Sequence, residues 1–331
     1  MKIMVYEARP DERADLEKQA ALHGVELSVT DAVPTLENAS LAAGCIGVSI
    51  LGQGCIDAAL LDAYHALGIR YLSTRTIGYD HIDLDHARSI GLRVCSASYA
   101  PNGVADFTVM MILMCLRHYK QALWRGQVND FSLTGLQGRE MKDLTIGIIG
   151  TGRIGAQVAR NLSGFGCRIL AYDLRRNPAV EPQVTYVDFD TLLAQSDVIT
   201  LHMPLLDSNR HIINRESIAK MRDGVVIANC SRGELADIEA LIEGIETGKI
   251  GALGMDTVEG DEGIIHADHR VDILPNRNWF YLHQFRNVIM TQHMAFYTDA
   301  AVSSMVDCGI GGICQMAAGE SCPTELTGPV Q

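Results

Sequence analysis

Three glycines at the end of an apolar strand constrain this chain more than any other feature. The run Thr145-Ile-Gly-Ile-Ile-Gly150-Thr-Gly152-Arg-Ile-Gly155 leads into Ala156-Gln-Val-Ala-Arg-Asn-Leu162, a stretch of helix formers. At this spacing Gly150 permits a tight turn, Gly152 lets backbone approach a pyrophosphate, and Gly155 lets the helix pack closely on the strand. The helix then offers its first N–H groups and its positive dipole end to phosphates. Asp173 closes the next apolar run, Arg168-Ile-Leu-Ala-Tyr, eighteen residues after the last glycine. A carboxylate there accepts hydrogen bonds from an adenosine ribose. Strand, helix and acid are in register for a dinucleotide, nicotinamide or flavin.

Further apolar strands alternate with helical stretches on both sides of this unit. Before residue 100 the strands read as 2–6, 24–29, 45–50, 70–73 and 93–95, with a helix in Asp57-to-Leu67. After the glycine turn they read as 184–187, 198–201, 225–229, 251–255 and 288–291. A long helix is expected over 104–125, apolar almost all round and therefore buried between domains or against another subunit. A terminal helix from about Ala300 is expected to fold back on the first domain. For 331 residues the pattern predicts an α/β chain of two doubly wound, parallel-sheet domains, Rossmann-like and flavodoxin-like, with a cleft between them. Residues 1–100 with 300–331 form one and residues 101–299 the other.

The net charge of −13 argues against nucleic acid or an anionic membrane as partner. Nine cysteines, with no C-x-x-C pair, fit buried thiols in a reducing compartment. The apolar run 107–116 is too short to span a bilayer, and the N-terminus enters a strand without a signal-peptide core. A cytoplasmic protein is expected.

The chemistry must come from polar groups at the carboxyl ends of later strands. Val225-to-Asn229 runs into Cys230-Ser231-Arg232-Gly233, Ala252-to-Asp256 into Glu259-Gly-Asp261-Glu262, and Val288-to-Thr291 into Gln292-His293. An arginine, carboxylates and a histidine thus converge on one sheet edge. Reduction of a 2-oxo acid asks for this set: a guanidinium for the substrate carboxylate, and an acid titrating near neutrality for the carbonyl oxygen.

With Thr76-Ile-Gly78-Tyr-Asp80-His-Ile-Asp83, Tyr99-Ala-Pro101-Asn-Gly-Val-Ala-Asp106, Leu201-His-Met203-Pro204, Asn229-Cys-Ser-Arg232-Gly233 and His293-Met-Ala-Phe296-Tyr-Thr298, the chain resembles the D-2-hydroxyacid dehydrogenases over nearly its whole length. Within that family it looks closest to the D-lactate and D-2-hydroxyisocaproate dehydrogenases, including pyruvate reductases of the vancomycin-resistance type. The resemblance implies that Arg232 orients the substrate carboxylate and His293 shuttles the proton. It implies that Ile77, Gly78, Tyr99 and Phe296 meet the substrate. Gly150, Gly152, Arg153, Ile154, Gly155, Asp173, Met203, Pro204, Asn209, Cys230, Ser231 and Asp256 would meet the cofactor.

The family's histidine-partner glutamate falls on Asp261, one methylene shorter, with Glu262 beside it, and spacing favours Asp261. Gln292 stands where the family usually has proline. No aromatic residue occurs in Gly52-Gln-Gly-Cys-Ile-Asp57, which implies a pocket that takes pyruvate but tolerates 2-oxoisocaproate or phenylpyruvate. Asp173 favours NAD and disfavours NADP, although Arg175 and Arg176 follow it. No metal is expected; Asp83 reads as a helix cap, and His266 and His269 as ordinary surface histidines. A homodimer is expected from the apolar helix. The rival reading is an NAD(H)-sensing corepressor or pseudoenzyme on the same fold.

Overall fold

The computed structural model describes residues 1–328. The first hundred residues carry β1 (Lys2–Val5), α1 (Arg13–His23), β2 (Glu26–Val29), β3 (Gly47–Ile50), α2 (Ala58–Ala66), β4 (Tyr71–Thr74), α3 (Leu84–Ser89) and β5 (Arg93–Cys95). Then follow α4 (Asn102–Leu116), α5 (Tyr119–Gln127), β6 (Thr145–Ile149), α6 (Arg153–Ser163), β7 (Arg168–Tyr172), β8 (Thr185–Tyr186), α7 (Phe189–Gln195) and β9 (Val198–Leu201). The rest is α8 (Arg215–Lys220), β10 (Val225–Asn229), α9 (Ile238–Glu246), β11 (Ile250–Met255), α10 (Arg277–Gln284), β12 (Val288–Met290) and α11 (Asp299–Ala317). Contacts divide the chain into one compact unit of residues 1–100 with Tyr297 onward, and a second of residues 101–296. Short polar side chains begin many helices: Asp57, Asp83, Asp237 and Thr298 each accept an N–H from the first turn.

In the first unit the sheet order is β2-β1-β3-β4-β5, all parallel, the flavodoxin-like order. Strand periodicity sends Ile3 and Val5 to one core, with Leu16 of α1 and Val306, Ile310 and Ile313 of α11. Met4 and Tyr6 enter the other core, with Leu61 and Tyr64 of α2. The terminal helix α11 is long and apolar enough to cross a membrane by length and composition, but nine of its residues are buried in the protein. Small residues bring it down onto the sheet. A Cβ on Gly309 would lie 2.8 Å from Arg75 Cγ, and one on Gly312 2.6 Å from Cys95 Sγ.

Arg75 and Glu12, both 0% exposed, form the polar centre of this unit. Arg75 Nε donates to Glu12 Oε1 at 2.9 Å and Nη1 to Ser49 Oγ at 3.2 Å, while Nη2 reaches the carbonyl of Tyr6 at 3.0 Å. The guanidinium therefore joins the ends of β1, β3 and β4 to the start of α1. Beside it Glu7, 3% exposed and left-handed at φ +54°, accepts successive N–H groups from Leu51, Gly52, Gln53 and Gly54.

The second unit's sheet runs β12-β11-β10-β9-β6-β7-β8, again all parallel. Counted from the glycine strand this is the dinucleotide-binding order with one strand added, and the order reverses between β6 and β9. Register pairs Ile149 with Tyr172 and with Leu201, Asn229 with Leu201 and Met255, and Met255 with Met290. Gly150, Asp173, His202, Cys230, Asp256 and Thr291 therefore all stand one step past the same edge.

The expected helix over 104–125 is two helices. Arg139 N–H bonds the Leu116 carbonyl at 3.1 Å, and the ring of His118 bonds the Gln137 carbonyl at 3.1 Å. The returning chain takes the carbonyl of Leu116, the last residue of α4, and His118 turns left-handed at φ +50°. One face of α4 is buried within its own unit, while Met110 on another face is 41% exposed. The buried face lies on α6, β10 and β11, with Met111 and Cys115 against Gly254.

Arg75→Met should lower the stability of the first unit by about 3–5 kcal/mol, because it removes the 2.9 Å guanidinium partner of the buried Glu12 and leaves only Arg9, 3.9 Å away, to pair with it. Both tryptophans, Trp124 and Trp279, lie in the second unit. The loss should thus be read as faster amide exchange in β1, β3 and β4 while the tryptophan fluorescence transition stays in place.

Candidate active site

The glycine turn meets the demands of a bound pyrophosphate. Gly150 has φ +94°, and a Cβ there would lie 2.5 Å from the His202 carbonyl oxygen. A Cβ on Gly155 would fall 1.9 Å from the Gly150 carbonyl oxygen, so only glycine lets α6 sit this close to β6. A Cβ on Gly152, at the N-cap of α6, would meet nothing within 4 Å, leaving open space over the helix start. Arg153 and Ile154 begin that first turn. The residues present fit a dinucleotide.

Asp173 is half-buried at the end of β7. Its Oδ2 accepts Thr151 N–H at 2.5 Å and Thr151 Oγ1 at 3.0 Å, while Oδ1 accepts Arg175 N–H at 2.9 Å. Tyr186 OH and the Asn177 side chain also bond Thr151, at 2.8 Å each, so the acid is fixed over the turn. The Arg176 guanidinium lies 5.5 Å from the Tyr186 ring centroid. On the other side of the switch point, Asn209 Nδ2 donates to the Pro204 carbonyl at 2.8 Å and to Met203 Sδ at 3.3 Å. Ser231 Oγ donates to the Met203 carbonyl at 2.6 Å, which brings Met203, Pro204, Asn209 and Ser231 together.

Three adjacent strands present the expected reacting groups. Buried Asn229 shapes the turn after β10, accepting Ser231 N–H at 3.0 Å and donating to the Arg232 carbonyl at 2.7 Å. Arg232 Nη1 donates to the Ser231 carbonyl at 2.9 Å. Gly233 follows because a Cβ there would lie 2.3 Å from the Val258 backbone, so the turns after β10 and β11 pack directly. Cys230 is buried, which pushes its thiol up to about 12; it stays protonated and is no nucleophile. Burial likewise pushes His202 down to about 3, so that ring stays neutral, hydrogen-bonded to Thr200 Oγ1 at 2.9 Å.

Asp256, 1% exposed after β11, does more than its expected cofactor contact. Its Oδ1 accepts Thr291 Oγ1 at 2.5 Å and Met294 N–H at 2.9 Å, and its Oδ2 accepts Ala295 N–H at 2.8 Å. One buried carboxylate thus grips the chain on both sides of Gln292-His293, and the turn is held without the family's proline. His293 is left-handed, at φ +53°. Its ring centroid lies 6.3 Å from that of Phe296.

Asp261 is half-buried and accepts Val258 N–H at 3.1 Å. Burial first, and then the charges of Glu234, Glu262 and Asp256, push its carboxyl up to about 6. Glu262 is exposed. The sequence placed Glu259 among the carboxylates of this edge without giving it a role; its Oε1 lies 2.6 Å from His211 Nε2, and its Oε2 accepts Ile238 N–H at 3.4 Å. It ties the turn after β11 to α9 and to the loop that carries Asn209. Its place between Asp256 and Asp261 was the only signal for it.

In the first unit, Ile77 and Gly78 follow β4, where Thr76 Oγ1 donates to the Gly78 carbonyl at 2.6 Å. Tyr99 follows β5, next to Ser98, whose carbonyl accepts the Cys308 thiol at 3.4 Å. Two histidines near them are tied to polar side chains of the same unit: His81 bonds Thr74 at 3.3 Å, and His86 bonds Asp62 at 2.8 Å.

Two parallel α/β units, one with a fitted dinucleotide turn and a histidine–arginine–carboxylate edge, define an NAD-dependent oxidoreductase. A profile described as the NAD binding domain of D-isomer specific 2-hydroxyacid dehydrogenases matches residues 109–295. An aromatic 2-oxoacid reductase of Clostridium sporogenes is 42% identical over 311 residues, 93% of each chain. The D-lactate dehydrogenase of Escherichia coli is 36% identical over 98% of this chain and all of its own, and its apo structure superposes with a TM-score of 0.88. The NAD-complexed D-isomer specific 2-hydroxyacid dehydrogenase of Lactobacillus delbrueckii gives a TM-score of 0.83 at 30% identity, covering 98% of this chain and 100% of that one. The chain belongs to the D-isomer specific 2-hydroxyacid dehydrogenase family.

The raised Asp261 carboxyl has a stability consequence of known sign. Between the ordinary value of 3.8 and about 6, the folded state holds a proton that the unfolded state has lost. This contribution is best below pH 4 and falls by roughly 3 kcal/mol as pH rises through 6. Asp261→Asn should therefore gain stability relative to wild type between pH 4 and 7, by up to about that amount. Denaturant titrations followed by tryptophan fluorescence would show it; a constant difference across that range would count against a raised carboxyl.

Proposed function

We propose that this enzyme reduces 2-oxo acids to (R)-2-hydroxy acids with NADH, using His293 as proton donor and Arg232 to hold the substrate carboxylate. The observation that carries the reading is the Asp256 clamp. Arg232 leaves β10, His293 leaves β12, and the strand between them carries the buried carboxylate that fixes the histidine turn. Bound NADH supplies the hydride that adds to C2. The Arg232 guanidinium pairs with both carboxylate oxygens of the acid. His293, as imidazolium, gives its proton to the carbonyl oxygen as negative charge builds there. Asp261, ionised above pH 6, favours that imidazolium and is assigned as its partner. Ile77, Gly78, Tyr99 and Phe296 are assigned to the substrate.

Substrate choice follows from the loop after β3. Gly52-to-Asp57 holds no aromatic side chain to narrow a pocket, which supports use of pyruvate together with larger apolar acids such as 2-oxoisocaproate or phenylpyruvate. The aromatic 2-oxoacid reductase and D-lactate dehydrogenase relatives support both ends of that range. We also infer a cytoplasmic homodimer, in which a second copy covers Tyr119, Leu123, Trp124, Val128, Phe131 and Leu133, all exposed on and after α5.

His293→Ala should lower the rate of NADH oxidation with these acids by about 10²-fold or more while leaving NADH binding intact. In wild type, rising pH through neutrality should slow reduction and speed oxidation. Tight NADH binding without turnover of any acid in the panel would sink the reading, and a pyruvate preference above about a hundredfold would sink the open pocket.

NAD is assigned over NADP because a carboxylate at the end of the strand after the glycine helix, as Asp173 is, favours a ribose hydroxyl and disfavours a 2′-phosphate. Asp173→Ser should lower the NADH-to-NADPH efficiency ratio by about tenfold or more, helped by Arg175 and Arg176. An unchanged ratio would remove Asp173 as the discriminator.

A further inference from the structure

His266 lies in the long segment between β11 and α10, one of the few non-glycine residues with a left-handed backbone, at φ +62°. Its Nε2 is 3.2 Å from the carbonyl oxygen of His293, twenty-seven positions on. A carbonyl can only accept, so this nitrogen carries the proton. The His266 ring centroid is 6.1 Å from that of His293 and 6.4 Å from that of Phe296, and those two are 6.3 Å apart. The expected proton donor is thus one corner of a nearly equilateral triangle of three rings.

The hydrogen bond matters because of the peptide it touches. The carbonyl of His293 and the N–H of Met294 belong to one planar unit. Asp256 Oδ1 holds its N–H at 2.9 Å, and His266 holds its C=O at 3.2 Å. Held at both ends, by a buried acid and an exposed imidazole, the plane resists rotation, and that rotation is the ψ angle of His293. A left-handed residue that is not glycine costs roughly 1–2 kcal/mol and persists where its surroundings over-determine it. Here the surroundings are a buried acid on one side and an imidazole on the other.

We propose that His266 is a positioning residue for His293, fixing with Asp256 the peptide plane that sets the direction of the His293 imidazole. The proposal rests on the reading of His293 as proton donor. His266 belongs to a segment that the sequence marks as polar surface, and the pair His266-x-x-His269 is no metal site. His269 bonds Asp272 at 2.8 Å, and no metal-binding cluster occurs among the described residues.

Two variants separate the hydrogen bond from ring packing. His266→Phe keeps a ring and loses the donor, whereas His266→Gln loses the ring and keeps an N–H at similar reach. Both carry a similar backbone cost at φ +62°, so comparing them cancels it. For NADH oxidation with pyruvate, His266→Phe should lower kcat by about tenfold or more, with KM for pyruvate within about twofold. His266→Gln should recover most of the rate. The Cε1–H resonance of His293 in protein labelled with ¹³C-histidine, assigned by its loss in His293→Ala, should move in His266→Phe and return in His266→Gln. A Phe variant with wild-type kcat and an unmoved resonance overturns the proposal. So does a Gln variant no better than Phe, which would assign the effect to packing. If wild type turns over no acid, the proton-donor reading fails, and the resonance still decides whether His266 positions His293.

Discussion

Parallel pairing is the constraint on which the rest depends. Every strand pairing in both sheets runs the same way, so each connection must cross over and each carboxyl end must emerge at one edge. Residues far apart in sequence become neighbours there at no cost in loop design. Gly150, Asp256 and Thr291 share an edge because Ile149, Met255 and Met290 share a register through the strands between them. Chemistry on such a sheet is chosen by the one or two residues that follow each strand, and the helices can vary beneath it.

How much of this could be read from the chain follows the range of each interaction. The glycine turn, the acid after β7 and the strand ends are local patterns, and they stand where their spacing puts them. The long helix over 104–125 failed because its interruption comes from residues 137–139 returning to α4, which no periodicity within the helix records. Buried polar groups were harder still. Arg75 and Glu12 are 63 positions apart, and the Asp256 contact to Met294 spans 38. In the sequence each looks like an ordinary charge near a strand end. Only tertiary structure shows that these carboxylates are enclosed, and an enclosed charge must be answered.

Carboxylates gather near Asp261, past the carboxyl edge of the second sheet. Burial is the larger cause of the raised Asp261 carboxyl, and the charges of Glu234, Glu262 and Asp256 add to it. Asp256 spends its charge on two backbone N–H groups and a hydroxyl, and Glu259 spends its own on His211. Acids committed in this way act as scaffolding, which leaves Asp261 as the carboxylate whose ionisation responds to pH near neutrality. A shorter side chain than the family's glutamate, held at the turn by Val258, is therefore a difference in tuning as well as in reach.

Glu7 carries a consequence for the two halves of the molecule. Both units possess a reversal in strand order, the kind of place where nucleotides settle, and the first unit has a run of backbone N–H groups at its carboxyl edge. In the first unit that cradle, Leu51 to Gly54, is already filled by the chain's own carboxylate. A phosphate arriving there would meet a fixed negative charge and no vacant donor. Of two units built on related sheets, one thus has the N–H groups of its turn answered from within the chain, by a single acid.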